Sequence, residues 1–290
     1  MSKQKMPALP GQLPWVKRSY LLLDGVSVEN LPQKLYQWSD NPVFEPLYLQ
    51  TSLQELVDLS PCLIEVGGEH DSVMQAFINS AEQEWGCLLF SRANFGEILQ
   101  HLRWLVQVEP AKQQEAYLRF ADPAVAHQLL SIKGSRLFGP IEHLYAPDAI
   151  EGVWHEHLRT GSEPIHDRSS LYRLNDQEMK ALEDVSFRQA VIVLDSHMEA
   201  FFPSYQRGLS GRDRYKHMYS LAEQAYQRGL CSQREILLFA NVFGFLGDQV
   251  LEQHADVAHL LSGSSPKTPG QRVELAAQLA QQRATNRIAS

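Results

Sequence analysis

The chain has 290 residues, 44% hydrophobic and 21% charged, with a net charge of -8 and a pI near 5.8. That length suits roughly two domains with real cores, and the acidic balance excludes an overall basic field for nucleic acid. The longest nearly apolar run, residues 236–246, is too short for a bilayer span of about 20 residues, which argues against membrane insertion.

In chain order, Met1 to Lys5 is basic, but Pro7, Pro10, Gly11 and Pro14 stand where a signal peptide carries an unbroken apolar core. Residues 1–18 are therefore expected to form a flexible tail. Residues 20–25, Tyr-Leu-Leu-Leu-Asp-Gly, read as a buried strand stopped by a turn, and residues 31–38 as a helix. Strands follow at 47–49 and 62–66, with a short helix at 53–59 between them, and Asp71 caps a helix running to about Glu84. Residues 87–90 form another strand. Asn94-Phe95-Gly96-Glu97 then has capping-box spacing, and Phe95, Ile98, Leu99, Leu102, Leu105 and Val106 make one apolar stripe that must face a sheet. Residues 115–120 read as a strand; Asp122 is placed to cap a helix to Ser131, with Pro123 at its first position. Two further strands are predicted at 141–145 and 153–157. The resulting fold class is α+β or α/β, an N-terminal mixed sheet covered by helices over residues 19–160.

Residues 161–172 are polar, broken by Gly and Pro, and without period, which predicts a linker. Residues 173–290 read as an all-helical domain. Asn175-Asp176-Gln177-Glu178 opens a helix carrying Phe187, Ala190, Val191, Leu194, Met198 and Phe201 on one side. Residues 212–228 place Tyr215, Met218, Tyr219, Ala222 and Tyr226 on one face, with Gly229 as a stop. Ser232 to Glu235 opens a helix that is apolar on nearly every side, through Phe239, Phe243 and Phe245, and a last helix spans 269–283.

Several stretches invite a chemical reading. Asp195-Ser196-His197 contains the residue types of a hydrolase triad, yet successive helical residues point apart, so polar-face residues are the simpler expectation. His155 and His157 share a strand face, with His143 upstream, but zinc needs a further ligand and an oriented outer shell. Lys133-Gly134-Ser135-Arg136 suits a solvated turn better than an anion site, and Gly67-Gly68-Glu69 is a turn rather than a nucleotide loop. No catalytic residue, metal or cofactor is expected. Tyr215, Tyr219, Tyr226, Phe239, Phe243 and Phe245 are the candidate partner-binding residues, with bundle core as the competing reading. Cys62, Cys87 and Cys231 stand far apart, the first two in apolar runs, which fits reduced thiols and a cytoplasmic location.

Six short motifs recur in one order: Tyr20 to Gly25, Ser60-Pro61-Cys62-Leu63-Ile64, Trp85 to Ser91, His101-Leu102-Arg103, Leu118-Arg119-Phe120-Ala121-Asp122-Pro123 and Phe138-Gly139-Pro140-Ile141. Together they resemble the type VI secretion effector-chaperone, or adaptor, family, over roughly residues 19–154. Cys62 and Val26 depart modestly from its pattern. The resemblance implies a cytoplasmic, non-catalytic protein that binds a toxic secreted effector and helps load it onto the valine-glycine-repeat spike. Asp24, Arg103, Arg119, Asp122, Pro123, Gly139 and Pro140 are expected to serve structure, Arg119 as an anchor held by a carboxylate or carbonyl near a strand end. The rival readings are a hydrolase using Ser196 and His197, a metalloenzyme using His155 and His157, and a regulatory module for a small ligand.

Overall fold

The computed structural model describes residues 6–110, 116–133, 135–161, 169–262 and 266–289. The chain divides into two compact units, one within residues 3–185 and one within residues 186–290.

The first unit runs β1 (Arg18–Leu23), α1 (Leu31–Trp38), β2 (Phe44–Pro46), β3 (Cys62–Val66), α2 (Ser72–Asn79), β4 (Gly86–Ser91), α3 (Phe95–Val106), β5 (Gln107–Glu109), β6 (Ala116–Tyr117), α4 (Pro123–Leu130), β7 (His143–Asp148), β8 (Val153–Leu158) and β9 (Tyr172–Arg173). Six strands make one sheet in the order β2-β3-β1-β4-β7-β8, and every pairing in it is antiparallel. β1 therefore lies between β3 and β4, which run in the same direction and are joined through α2, a split β-α-β unit. A small second sheet has the order β6-β5-β9 and contains the parallel pairing, β5 with β9.

Strand alternation sorts the apolar side chains to the two faces of the large sheet. Tyr20, Leu22, Leu63, Cys87, Leu89 and Leu144 join one core with Ile98, Leu102 and Leu105 of α3 and Val125, Ala126 and Leu129 of α4. Leu21, Leu23, Ile64, Leu88, Phe90 and Tyr145 join the other with Leu31 and Leu35 of α1 and Val73, Met74 and Phe77 of α2. The unit is a three-layer sandwich, and its strands read as continuous apolar runs because both faces are covered. Leu9, Leu13 and Trp15, in the stretch expected to be a tail, pack against the second core, with the Trp15 ring 5.1 Å from Phe90.

Local differences from the predicted elements have local causes. Residues 54–59 form a 3-10 helix, and β2 sits at Phe44–Pro46 rather than at 47–49, where the chain turns with the Leu49 N–H directed to the Pro46 carbonyl. α2 is capped by Asp71, whose Oδ1 accepts from the Val73 and Met74 N–H groups, and it ends at Asn79, followed by a 3-10 turn at 81–83. The capping box of α3 is complete: Asn94 Oδ1 accepts from Glu97 N at 3.0 Å and Glu97 Oε2 from Asn94 N at 2.8 Å. Of the strand expected at 115–120, Ala116 and Tyr117 pair with β5, whereas Glu115 is outside the described residues. Residues 162–168 of the expected linker also lie outside them, and Tyr172 enters β9.

The helical part comprises α5 (Asp176–Phe201), α6 (Gly211–Gln227), α7 (Gln233–Leu246), α8 (Val250–Gln253), α9 (Ala255–Ser262) and α10 (Pro269–Ala289). α5 opens with a second capping box, Asn175 with Glu178, and its residues Met179, Ala181, Leu182 and Val185 belong to the first unit's core. From Phe187 onward it belongs to the second, whose central helix is α7. The buried residues Val273, Ala276, Ala277 and Ala280 of α10 are small, which lets that helix pack closely on α7. Among the described residues no helix is long and apolar enough to cross a membrane.

Candidate functional site

β1 ends at Leu23, and the next residue, Asp24, is buried where the chain leaves the sheet. Its Oδ2 accepts from Arg119 Nη2 at 2.5 Å, from Ser27 Oγ at 2.8 Å and from Ser27 N at 3.2 Å. Arg119 reaches it from the stretch between β6 and α4. There, burial alternates: Tyr117 is exposed, Leu118 buried, Arg119 half-exposed and Phe120 buried. Asp122 closes the stretch as the cap of α4, accepting from Ala124 N at 2.9 Å, with Pro123 in the first turn.

The remaining motif residues also meet across elements. Arg103 on α3 donates to Glu45 Oε1 at 2.7 Å and to the Leu47 and Pro46 carbonyls at 3.2 Å, tying α3 to the sheet edge at β2. The buried His101 lies one turn from Leu105, and its Nε2 is 2.8 Å from the Leu137 carbonyl. Its ring fills the space where Gly139 lacks a side chain: a Cβ there would stand 2.3 Å from the ring, and the glycine φ is +50°. Pro140 offers its carbonyl to Ser91 Oγ at 2.6 Å. These contacts hold helices to strand ends; none places a nucleophile beside a base.

His155 and His157 on β8 meet a third imidazole that sequence spacing did not single out, His127 on α4. The His127 and His155 rings stack with centroids 3.6 Å apart, and His127 Nδ1 is 3.0 Å from His157 Nε2. Burial, and then the neighbouring His127 and His155, push the His157 imidazole down to about 4. His155 Nε2 lies 3.3 Å from Asp148 Oδ2. His143 instead meets Lys17 Nζ at 2.8 Å, beside Glu142. Among the described residues no group of His, Cys, Asp and Glu is arranged to hold a metal ion, as rings that stack and bond to one another do not converge on a common point. In the Lys133 to Arg136 turn, Gly134 is outside the described residues.

Asp195, Ser196 and His197 turn to three different partners. Asp195 Oδ1 accepts from Arg214 Nε at 2.5 Å in the helical core, Ser196 Oγ donates to the Ile192 carbonyl at 3.0 Å, and His197 Nε2 is 2.6 Å from Asn241 Oδ1. They form no triad. The aromatic candidates separate in the same way. Phe239 and Phe243 are buried among the helices, and Phe245 packs edge-on against Phe202 at 4.8 Å. Tyr219 and Tyr226 stay exposed, at 40% and 47%, and hold Phe187 between them with centroid distances of 4.9 and 5.4 Å; Tyr215 adjoins Tyr219 at 6.2 Å.

Residues 19–135 match the family described as "Domain of unknown function (DUF4123)". The accessory protein VasW of Vibrio cholerae serotype O1 is 31% identical over 268 residues, which cover 92% of this chain and 88% of VasW. The chain belongs to the DUF4123 family of type VI secretion effector chaperones. No solved structure matches it. In this DUF4123 protein Asp24, Arg103, Arg119, Asp122 and Pro123 fall inside the matched segment, whereas Gly139 and Pro140 lie just past it. The likeness to VasW runs well beyond that segment, since at 92% coverage it takes in much of the helical unit.

Proposed function

We propose that this DUF4123 protein is a cytoplasmic, non-catalytic chaperone and adaptor, which binds a toxic type VI secretion effector and promotes its loading onto the valine-glycine-repeat spike. The observation that carries this reading is the order of the six motifs in the first unit, together with a likeness to an accessory protein that continues through most of the chain. Such a protein acts by binding free energy alone. An effector is stabilised by about 2.7 kcal/mol where the free chaperone stands at 100 times the dissociation constant of the complex, and the interface that does this buries at least about 1,000 Å².

The helical unit supplies the effector contact in this reading. Tyr219, Tyr226 and the Phe187 ring between them offer a large, partly rigid aromatic area with hydroxyl tips, the composition of interface hot spots. The first unit carries the contact common to such adaptors, with the spike. The test is capture of the purified cognate effector by wild type and by a Tyr219→Ala, Tyr226→Ala variant. The variant is expected to bind at least about tenfold more weakly while a cooperative melting curve shows that it still folds. Equal capture would move effector binding off this face.

A further inference from the structure

Residues 6–16 cross one face of the large sheet before the chain enters β1. Trp15 stands edge-on to Phe90 of β4 at 5.1 Å, and Phe90 adjoins Tyr145 of β7 at 5.9 Å. At the sheet edge, Trp154 of β8 meets Phe77 of α2 at 5.7 Å and donates its Nε1–H to the Pro7 carbonyl at 3.0 Å. β7 lies between β4 and β8, so the segment spans three strands, and its Leu9 and Leu13 pack against the same core. Yet it is not built in as a strand or helix would be. Among the described residues, the Trp154 contact is the one hydrogen bond that ties residues 6–16 to the rest of the unit; the backbone bonds from Trp15 N to the Leu13 carbonyl and from Lys17 N to the Pro14 carbonyl are local. Pro7, Pro10 and Pro14 have no N–H to offer. None of residues 6–16 is buried, whereas Phe90 is fully so. The segment can therefore lift without breaking a ladder, and it would uncover a groove in which Phe90 and Trp154 stand with Tyr145 and Phe77 beside them.

The polar groups of the groove define what fits it. Tyr145 donates its hydroxyl to Glu156 Oε1 at 2.5 Å, and Lys17, at the root of the segment, pairs with Glu142 at 2.6 Å. These groups satisfy one another. The Trp154 indole N–H, a donor only, is what remains for a chain lying across the strands, and it asks for one carbonyl oxygen. Residues 6–16 answer that demand: they carry no charged side chain, offer the Pro7 carbonyl, and present Leu9, Leu13 and Trp15 to the core. Their three prolines lower the entropy lost on docking. A segment of the same make-up, supplied by another protein as extended chain, would fit the same groove. The client held by a chaperone supplies such chain, whereas a folded partner surface does not.

We propose that residues 6–16 are a displaceable strap, and that an uncharged, proline-containing apolar segment of the effector takes their place along β4, β7 and β8. The inference rests on the chaperone reading and adds a second hold on the effector to the aromatic face of the helical unit. The probe is a labelled synthetic peptide of residues 6–16, titrated into the full-length wild type and into a full-length Leu9→Ser, Leu13→Ser variant, which loosens the strap and leaves the groove intact. In wild type the tethered strap outcompetes the peptide, so the variant is expected to bind it at least about tenfold more tightly, and the purified cognate effector should displace it. A folded variant that binds the peptide no better than wild type does would overturn the strap, and peptide that stays bound under saturating effector would overturn its occupant. A second measurement uses the unaltered chain: chymotrypsin should cut after Trp15 at least about threefold faster once the effector is bound, because the strap has been lifted. An unchanged rate would contradict displacement. Effector that binds neither wild type nor variant would overturn the chaperone reading itself, whatever the peptide does.

Discussion

Arg119 donates to the Asp24 carboxylate at 2.5 Å, and Asp24 is itself only 1% exposed. The pair joins two motifs that are 95 residues apart and fastens the approach to α4 onto the end of β1. Removing Arg119 leaves a buried carboxylate with only Ser27 as a donor. Arg119→Ala should therefore cost about 2–3 kcal/mol in urea denaturation, at the lower end for buried pairs because the guanidinium side is half-exposed. Arg119→Lys, which keeps the charge and loses the fork, should cost less.

The helical unit contains a drier pair. Asp195 is fully buried and Arg214 nearly so, with 2.5 Å between Oδ1 and Nε. Asp195→Ala should lower stability by about 3–5 kcal/mol, whereas Ser196→Ala on the adjacent exposed position should stay within about 0.5 kcal/mol. Chemical denaturation of the two variants separates these outcomes, and a large effect of Ser196→Ala on folding would contradict the arrangement.

Gly139 holds a positive φ under the His101 ring, so a methyl group there meets both a strained backbone and a buried imidazole. Gly139→Ala should cost on the order of 2–4 kcal/mol, and His101→Ala in the same chain should recover part of that loss by vacating the space. A melting series on the two single variants and the double measures the coupling.

The His127–His155–His157 cluster makes stability depend on pH. His157 is held near 4 in the folded protein against an ordinary 6.5, so between those values the unfolded chain takes a proton that the folded one refuses. The sign is fixed: this contribution is intact above about pH 6.5, falls as pH drops toward 4, and amounts to on the order of 3 kcal/mol. Denaturation of wild type and His157→Gln at several pH values should show the wild type losing more stability across that window. Parallel curves would contradict the burial of a neutral imidazole.

The legible parts of the sequence were those set by local rules. The capping boxes at Asn94, Asn175 and Ser232 each form as spaced, because donor and acceptor lie within three residues of each other. Strand direction was not local. A run such as Leu21-Leu22-Leu23 reports that both faces are covered, and an antiparallel sheet between two helical layers satisfies that as well as a mixed one does. The apolar girth of α7 did not say which of its aromatic rings are enclosed; Phe239 and Phe243 are buried in the helical unit, whereas Tyr219 and Tyr226 of α6 are exposed. His127 carried no signal toward β8, since its partners lie about thirty residues away and meet it only through the fold.

The most direct test of the account is secretion itself. In bacteria lacking this chain, the effector it is proposed to carry should disappear from the culture medium while the spike protein is still exported, and wild-type chain should restore the effector. Normal effector secretion without the chain, with no complex between the purified proteins, would contradict the chaperone and adaptor role.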